Sequence, residues 1–254
     1  MRSRILEEFI EEIQFKNRNP QNIRVLNLLD DKSTNAERIL PAGTHLYRCR
    51  VITDTSKIAQ ENGFYGYNAK ESFVPPAEIS KDMRANYRYI PYLYCSNNLY
   101  ISAIEVRPRL SSKISVATIE VNEPLRLLDF TISNPSPEMD ESKQNLFSDL
   151  SDLYSKPVTD EDNMLDYIPT QFIAEYAKNL GYDGIAYKSS LTPEINANST
   201  MDRYNLVIFN YKKCIPIKSN VFAVTNNYIE LKQTDTSSEK IHISNFIEEI
   251  LDDI

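Results

Sequence analysis

Two arginines lie two residues apart in a short apolar segment of the chain. Arg48 and Arg50 belong to the run HLYRCRVI, where a period of two places both side chains, with Leu46, on one face of a strand. A guanidinium is costly to bury alone, and its planar fork suits a phosphate or a carboxylate. The pair is compatible with an anion site, but residue statistics alone favour a structural role. An internal salt bridge to one of the 36 acidic residues is the structural alternative.

A glutamate, a tyrosine and two serines in other segments also have side chains that could do chemistry. Glu105 lies in the otherwise apolar helical stretch AIEVRP, where a solvated helix-face glutamate is the alternative to a functional acid. Tyr94 follows the run IPYL, and with 16 tyrosines in the chain a core aromatic is the alternative there. Ser189 and Ser190 end a strand, where hydroxyls usually terminate the strand or cap a turn.

Strands and one short helix carry these residues. Residues 65 to 91 are rich in Tyr, Pro and Asn without a sustained period, which predicts a long ordered loop of the kind usually kept for function. Asn97 or Asn98 can cap a helix that continues through Val106. The predicted strands are 45–52, 92–94, 114–121, 125–130, 184–187 and 205–209.

Further helices are predicted from apolar residues at helical spacing. They cover residues 5–13, part of the acidic segment 131–166, which we interpret as an insertion, and a helix opened by Pro169 and closed by Gly181. The C-terminal segment predicts a hairpin of NVFAV with YIELKQ and a helix capped by Ser244. The pentapeptide FIEEI occurs near both ends, either as two similar acidic helices or as a shared partner surface.

Composition excludes several classes of function. The formal charge of −8 opposes nonspecific attraction to nucleic acid. No stretch approaches the roughly 18 apolar residues of a membrane span, and the charged start is unlike a secretory signal, so we expect a cytoplasmic protein that does not bind membranes. The five glycines form neither a dinucleotide-binding fingerprint nor a phosphate-binding loop.

Cysteine and histidine content gives no sign of a metal centre. Cys49, Cys95 and Cys214 are far apart and form no CxxC pair, so we expect three buried, unreactive thiols. The two histidines, His45 and His242, are too few for a three-histidine site. No metal is therefore predicted.

The order of the chemistry-bearing segments resembles the RES domain, a bacterial toxin family named for its Arg, Glu and Ser. The likeness runs from residue 44 to 210, with the acidic insertion after 131 outside it. The segments that carry it are LYRCR at 46–50, FVPP at 73–76, MRAN at 83–86, IPYLYCSNNLYISAIEVRP at 90–108, YIPTQFIAEYAKNLGYDGIAYKSS at 167–190 and NLVIF at 205–209.

This resemblance implies an α+β fold. We expect an ADP-ribosyltransferase-like core of mixed β-sheets with flanking helices, built as a single domain with terminal helices. Residues 1–40 would form an N-terminal helical extension, 41–215 the catalytic domain with its insertion at 131–166, and 216–254 a C-terminal hairpin and helix.

The resemblance also implies a cleft in which NAD is the substrate and no cofactor is needed. Arg48 resembles the family's first-strand arginine and Arg84 its second, and both would hold the pyrophosphate. Tyr94 would stack on nicotinamide. Arg50 is a neighbour whose part in binding stays open. The glycine usual beside the second arginine is Met83 in this chain.

The remaining site residues follow from the same resemblance. Glu105 resembles the helix glutamate, and it would stabilise the cationic ribose from which nicotinamide departs. Ser190 resembles the family serine, which would add a hydrogen bond to a phosphate or the ribose, with Ser189 as the neighbour that stays open.

Three functions remain open on the sequence. The first is NAD degradation by hydrolysis or phosphorolysis, and the second is transfer of ADP-ribose to a protein. The stretch before Glu105, residues 99–104, contains no second acid to activate an acceptor, which favours degradation. The third is an inactive binding module. The family further implies a helix-turn-helix antitoxin as partner, and self-association stays open.

Overall fold

A mixed β-sheet runs through the middle of the protein. The computed structural model describes residues 2–21, 23–30, 36–131, 139–156, 164–191 and 203–226. Within them, eight strands lie in the order β1-β5-β6-β7-β3-β2-β4-β8. The strands are β1 (Glu37–Leu40), β2 (His45–Val51), β3 (Leu93–Ser96), β4 (Lys113–Val121), β5 (Leu125–Asp129), β6 (Gly184–Lys188), β7 (Tyr204–Ile208) and β8 (Cys214–Ala223).

Six α-helices accompany the sheet in the same ranges. They are α1 (Arg4–Glu11), α2 (Arg24–Asp30), α3 (Ala69–Ser72), α4 (Leu99–Glu105), α5 (Glu141–Ser155) and α6 (Ile168–Asn179). A π-helical turn, Glu12–Lys16, continues α1. Short 3₁₀ turns lie at Thr55–Lys57, Ala77–Ile79, Met164–Tyr167 and Tyr211–Lys213. None of the described helices is both long and apolar enough to cross a membrane.

Four of the helices share one hydrophobic core with one face of the sheet. Apolar residues of the helix predicted over residues 5–13 are buried there, with Leu6, Phe9 and Ile13 each at most 2% exposed. Side chains of α1, α2, α5 and α6 pack in a single cluster with residues of β5, β6 and β7. The opposite face of the sheet carries a second cluster around Leu46, Leu93 and Leu206. The predicted α+β class, a mixed sheet with flanking helices, is confirmed.

The pair β5/β6 is parallel, and the other neighbours in the sheet are antiparallel. Helices α5 and α6 lie in the connection between β5 and β6, as a parallel crossover requires. Gly184, where β6 begins, has no room for a side chain, because a Cβ atom would lie 2.5 Å from the carbonyl oxygen of Val207. A glycine is therefore needed at the start of this central strand.

Most predicted elements are present with shifted ends. Tyr92 precedes β3, which instead runs on to Ser96. Asn98 caps α4 by accepting from the amide of Ile101 at 3.1 Å, whereas Asn97 bonds to Tyr204. Gly181 follows α6 with a positive φ of 85°.

The predicted loop and C-terminal hairpin differ more. Residues 65–91 contain the short helix α3 and one 3₁₀ turn. Residues 220–223 of NVFAV belong to β8, which pairs with β4 at the sheet edge. The predicted partner strand YIELKQ, the helix after Ser244 and His242 lie outside the described residues.

Strands β2 and β3 separate along their length. They share a single register pair, Tyr47 with Ser96, whereas β2 and β4 pair along all seven residues of β2. Beyond Tyr47, the residues Arg48 and Cys49 of β2 and Tyr94 and Cys95 of β3 line a cavity instead of continuing the ladder. This divergence creates the space for a site.

A buried carboxylate joins the ends of several strands away from that cavity. Asp183, just before β6, accepts hydrogen bonds from the Arg126 amide at 2.9 Å, the Lys213 ammonium at 2.9 Å and the Asn210 amide group at 3.0 Å. Burial opposes ionisation, but these donors outweigh it, so the pKa of Asp183 is lowered below its usual value. The ionised form therefore stabilises the fold.

We expect Asp183→Asn to lower the free energy of unfolding at pH 7 by about 1–3 kcal/mol, because two or more donors lose a charged acceptor. Since the folded pKa is depressed, this stabilisation is present above about pH 4 and is lost as the pH falls through the folded pKa. Urea denaturation should be measured from about pH 2.5 to 7, which spans the titration of carboxyl groups. We expect the free energies of unfolding of the parent and of Asp183→Asn to converge in acid. Glu61→Gln is the control and should match the parent throughout, because Glu61 is exposed and its side chain makes no hydrogen bond or ion pair within the described residues.

Candidate functional site

The cavity at the β2/β3 divergence has a volume of about 690 Å³. It is bounded by these two strands, the turn at residues 83–86, the C-terminal ends of α4 and α5, and strands β6 and β7. Five of the sequence-predicted site residues line it, namely Arg48, Arg84, Tyr94, Glu105 and Ser190. Arg50 and Ser189 do not line it.

Arg48 is held in the cavity wall without a carboxylate partner among the described residues. Its Nη1 donates to the carbonyl oxygen of Ser72 at 3.3 Å. Burial, with a smaller contribution from the neighbouring charge of Arg50, lowers the pKa of the Arg48 guanidinium below its usual value. A partly buried cation compensated by a single carbonyl is suited to bind an anion.

Arg50 lies on the same face of β2 but is used within the protein. Its Nη1 contacts the carbonyl oxygen of Glu71 and lies 3.5 Å from the Glu71 carboxylate. Its guanidinium also lies 5.2 Å from the centre of the Tyr67 ring. The internal salt bridge proposed as the structural alternative for the pair is thus present at Arg50.

The segment MRAN forms a tight turn that carries Arg84 into the cavity. Backbone bonds join Met83 and Asn86 in both directions, at 3.0 and 3.3 Å. Arg84 donates to the Leu153 carbonyl at 3.3 Å, and its guanidinium lies 5.3 Å from the centre of the Tyr167 ring. Met83 is not among the residues with positive φ, so the turn does not require the glycine usual at this position.

Tyr94 reaches this turn from β3. Its phenol oxygen accepts from the Ala85 amide at 3.2 Å and donates to Oδ1 of Asn86 at 2.7 Å. Burial raises the pKa of Tyr94 well above its usual value, with the neighbouring Tyr187 adding to the effect. The phenol therefore stays protonated at neutral pH and keeps both bonds.

Glu105 is the last residue of α4 and is oriented from two other segments. Its Oε1 accepts from the Ser189 hydroxyl at 2.7 Å and from the Asn205 side-chain amide at 2.6 Å. No hydrogen bond to Oε2 is present in the described part of the chain. The carboxylate is thus fixed through one oxygen, and its side chain is exposed where it lines the cavity.

The two serines after β6 have different positions. Ser190 lines the cavity and donates to the carbonyl of Ser155 at the end of α5, at 2.6 Å. Ser189 acts on Glu105 through the bond already described. The segment after β6 is thus linked to α5 through Ser190 and to α4 through Ser189.

The electrostatic character of the cavity differs from that of the whole protein. Its lining includes four cationic side chains, Arg48, Arg84, Arg107 and Lys156, and two acidic ones, Asp82 and Glu105. The chain as a whole carries a formal charge of −8. A net positive hollow in an acidic protein favours a ligand with several negative charges.

Two thiols also line this cavity. Burial raises the pKa of Cys49 to about 12 and raises that of Cys95 further above its usual value. All three cysteines are buried and unpaired, as the sequence predicts.

Comparisons with known proteins identify the family. The RES domain family matches residues 46–220, which is most of the chain. The chain belongs to the RES domain family. It is also similar to a chain of the crystal structure of the M. tuberculosis MbcT-MbcA toxin-antitoxin complex, at 12% identity, with 78% of this chain and 91% of that chain covered and a TM-score of 0.46. No curated protein sequence matches it.

Several residues of this RES domain site were missed by sequence reasoning. Asn205 heads the segment NLVIF and Asn86 ends MRAN, so both lie inside recognised motifs without a role having been assigned. The end of α5 was not predicted to belong to the site, because it lies in the acidic segment 131–166 that we interpreted as an insertion. The structure places Tyr154, Ser155 and Lys156 in the cavity lining.

Removal of the Tyr94 hydroxyl should weaken the fold around the RES site. In Tyr94→Phe, the Ala85 amide and the Asn86 side chain each lose a bond in a buried turn, which we expect to cost about 1–3 kcal/mol. Urea denaturation measures this loss. Tyr65→Phe, whose side chain is 57% exposed, should leave the midpoint unchanged. Equal midpoints for both variants would show that the phenol does not hold the turn.

Proposed function

We propose that this RES-family protein is a toxin-like enzyme that consumes NAD by breaking its nicotinamide–ribose bond, through hydrolysis or phosphorolysis. The observation that carries the proposal is the convergence of Arg48, Arg84, Tyr94 and Glu105, distant in sequence, on one cavity. Its volume of about 690 Å³ lies within the range of pockets for drug-sized ligands. NAD acts here as the substrate, and no cofactor or metal is needed.

The two arginines are suited to hold the pyrophosphate of NAD. The Arg48 guanidinium is partly buried and has no carboxylate partner in the described residues, and Arg84 lies in a turn closed by two backbone hydrogen bonds. Planar guanidiniums bind phosphate oxygens through two parallel hydrogen bonds. Binding the pyrophosphate would fix the orientation of the rest of the dinucleotide in the cavity.

Glu105 is suited to the chemical step. As nicotinamide leaves, positive charge develops on the ribose, and a nearby carboxylate lowers the energy of that state. The bonds from Ser189 and Asn205 fix the carboxylate in advance, so little reorganisation is needed during the reaction. The ring of Tyr94 lines the same cavity and offers an aromatic surface to nicotinamide.

Transfer of ADP-ribose to a protein is the second candidate. The other acid in the cavity lining is Asp82, which already accepts from the Arg88 amide at 3.0 Å. Helix α4 carries no second acid before Glu105. These features favour water or phosphate as the acceptor.

Membership of the RES family supports two further proposals. We expect the protein to act in the cytoplasm, where NAD is available, and to be silenced by a helix-turn-helix antitoxin. A binding module without activity is the remaining alternative, and failure of the concentrated, folded protein to deplete NAD would favour it.

Glu105→Gln should abolish turnover while sparing NAD binding, because the amide keeps an acceptor oxygen but loses the negative charge. We expect kcat to fall by about 10²–10³-fold or more, with the Kd for NAD within about threefold of the parent. Nicotinamide release measures kcat, and calorimetry measures Kd. Glu120→Gln, on β4 beside His45, is the control. Equal loss of binding and turnover would contradict the role given to Glu105.

The acceptor can be identified in the same assay. Stimulation of nicotinamide release by added phosphate would indicate phosphorolysis, and release in plain buffer would indicate hydrolysis. Labelling of proteins in a cell lysate with radioactive NAD would indicate transfer instead. Toxicity on expression, with falling cellular NAD, should disappear in the Glu105→Gln variant.

Arg48→Lys should weaken substrate binding more than it slows the chemical step. A lysine keeps the charge but loses the planar fork, so we expect KM for NAD to rise about tenfold with a smaller change in kcat. Arg88→Lys, an exposed arginine that lies over Tyr89, is the matched control and should behave as the parent. An unchanged KM in Arg48→Lys would place the pyrophosphate elsewhere.

A further inference from the structure

Helix α6 extends one buried polar side chain towards the turn that carries Arg84. Gln171 is 3% exposed. Its Nε2 donates to the carbonyl oxygens of Met83 at 2.9 Å and Asn86 at 3.0 Å. These are the two ends of the turn, so one amide group holds both.

The turn does not need Gln171 in order to close. The same two carbonyl oxygens already accept from the backbone amides of Asn86 and Met83. The bonds from Gln171 therefore fix where the closed turn lies relative to α6. Tyr167, which lies under the Arg84 guanidinium, directly precedes the same helix.

The opposite side of the turn is fixed from the sheet. Tyr94 of β3 bonds to Ala85 and to the side chain of Asn86. Asn86, 1% exposed, also donates to the carbonyls of Lys81 and Tyr87, at 3.0 and 3.1 Å. Helix and sheet thus hold the turn from two sides, with Arg84 between them.

We propose that Gln171 is a positioning residue that sets the Arg84 guanidinium for binding the pyrophosphate of the substrate. It does not line the cavity and acts through Arg84. This inference rests on the proposed function, because it assigns the Arg84 site to the pyrophosphate. A displacement of a binding group by about 1 Å is enough to weaken recognition strongly.

The first variant is Gln171→Met, which keeps the length of the side chain and removes both donors. We expect the Kd for inorganic pyrophosphate and the KM for NAD to rise about tenfold, with kcat changed by less than about threefold. Gln144→Met is the matched control, because Gln144 of α5 donates to the Met139 carbonyl at 2.8 Å and does not line the cavity. That variant should bind pyrophosphate as the parent does.

A double-mutant cycle separates positioning from general stability. In an Arg84→Ala background, Gln171→Met should add little to the loss of pyrophosphate binding, because the group that it positions is absent. Full additivity of the two losses would overturn the inference. Parental pyrophosphate binding in Gln171→Met would also overturn it.

Gln171→Glu provides a second variant with a different readout. An ionised carboxylate repels both carbonyls, whereas a protonated one can donate to one of them. Pyrophosphate binding by this variant should therefore recover towards the parent as the pH falls, and the same loss at every pH would count against the inference.

The proposed function and this inference fail in different ways. If the parent binds pyrophosphate but does not turn over NAD, the proposed function is wrong and the cycle still decides the role of Gln171. If the parent binds neither pyrophosphate nor NAD, both the proposed function and the role given to Gln171 are overturned.

Discussion

The separation of β2 from β3 after one shared register pair is the feature on which the site depends. A fully paired ladder would close the gap between β2 and β3 beside which Arg48 and Tyr94 line the cavity. Because the strands diverge, Arg48 instead faces a hollow that an anion can enter. Strand β2 stays paired with β4, and β3 stays paired with β7, so each strand keeps a partner on its outer side.

The cavity wall is assembled from elements that are rigid for separate reasons. Helix α4 is capped by Asn98 and delivers Glu105 at its end. The parallel pair β5/β6 places α5 and α6 in the connecting segment, and their packed core brings the end of α5 and the residues near the start of α6 to the same hollow. Side chains on well-packed helices and strands hold a binding geometry more closely than side chains on loops.

The helices and strands could be predicted from the sequence more fully than the contacts that the site residues make. The period of two in HLYRCRVI placed Arg48 and Arg50 on one face. It did not show that Arg48 lines the cavity whereas Arg50 pairs with another residue of the protein. Glu71, which engages Arg50, lies in a stretch without any sustained period. The cap of α4 was predicted to be Asn97 or Asn98, and the limits of α6 were predicted as well, because both follow from local chemistry. Asn205, Gln171 and the end of α5 act through contacts between distant segments, which no local pattern contains.

The burial of Cys49 and Cys95 has a consequence for how the protein responds to its surroundings. Oxidants and alkylating reagents attack the thiolate form, and at neutral pH almost none is present when the thiol pKa is near 12, as for Cys49. The cavity lining thus includes two thiols that are almost entirely protonated, and therefore unreactive, at neutral pH. We therefore expect ligand binding in this cavity to be the same in oxidising and reducing cells, and with or without a reducing agent in the storage buffer.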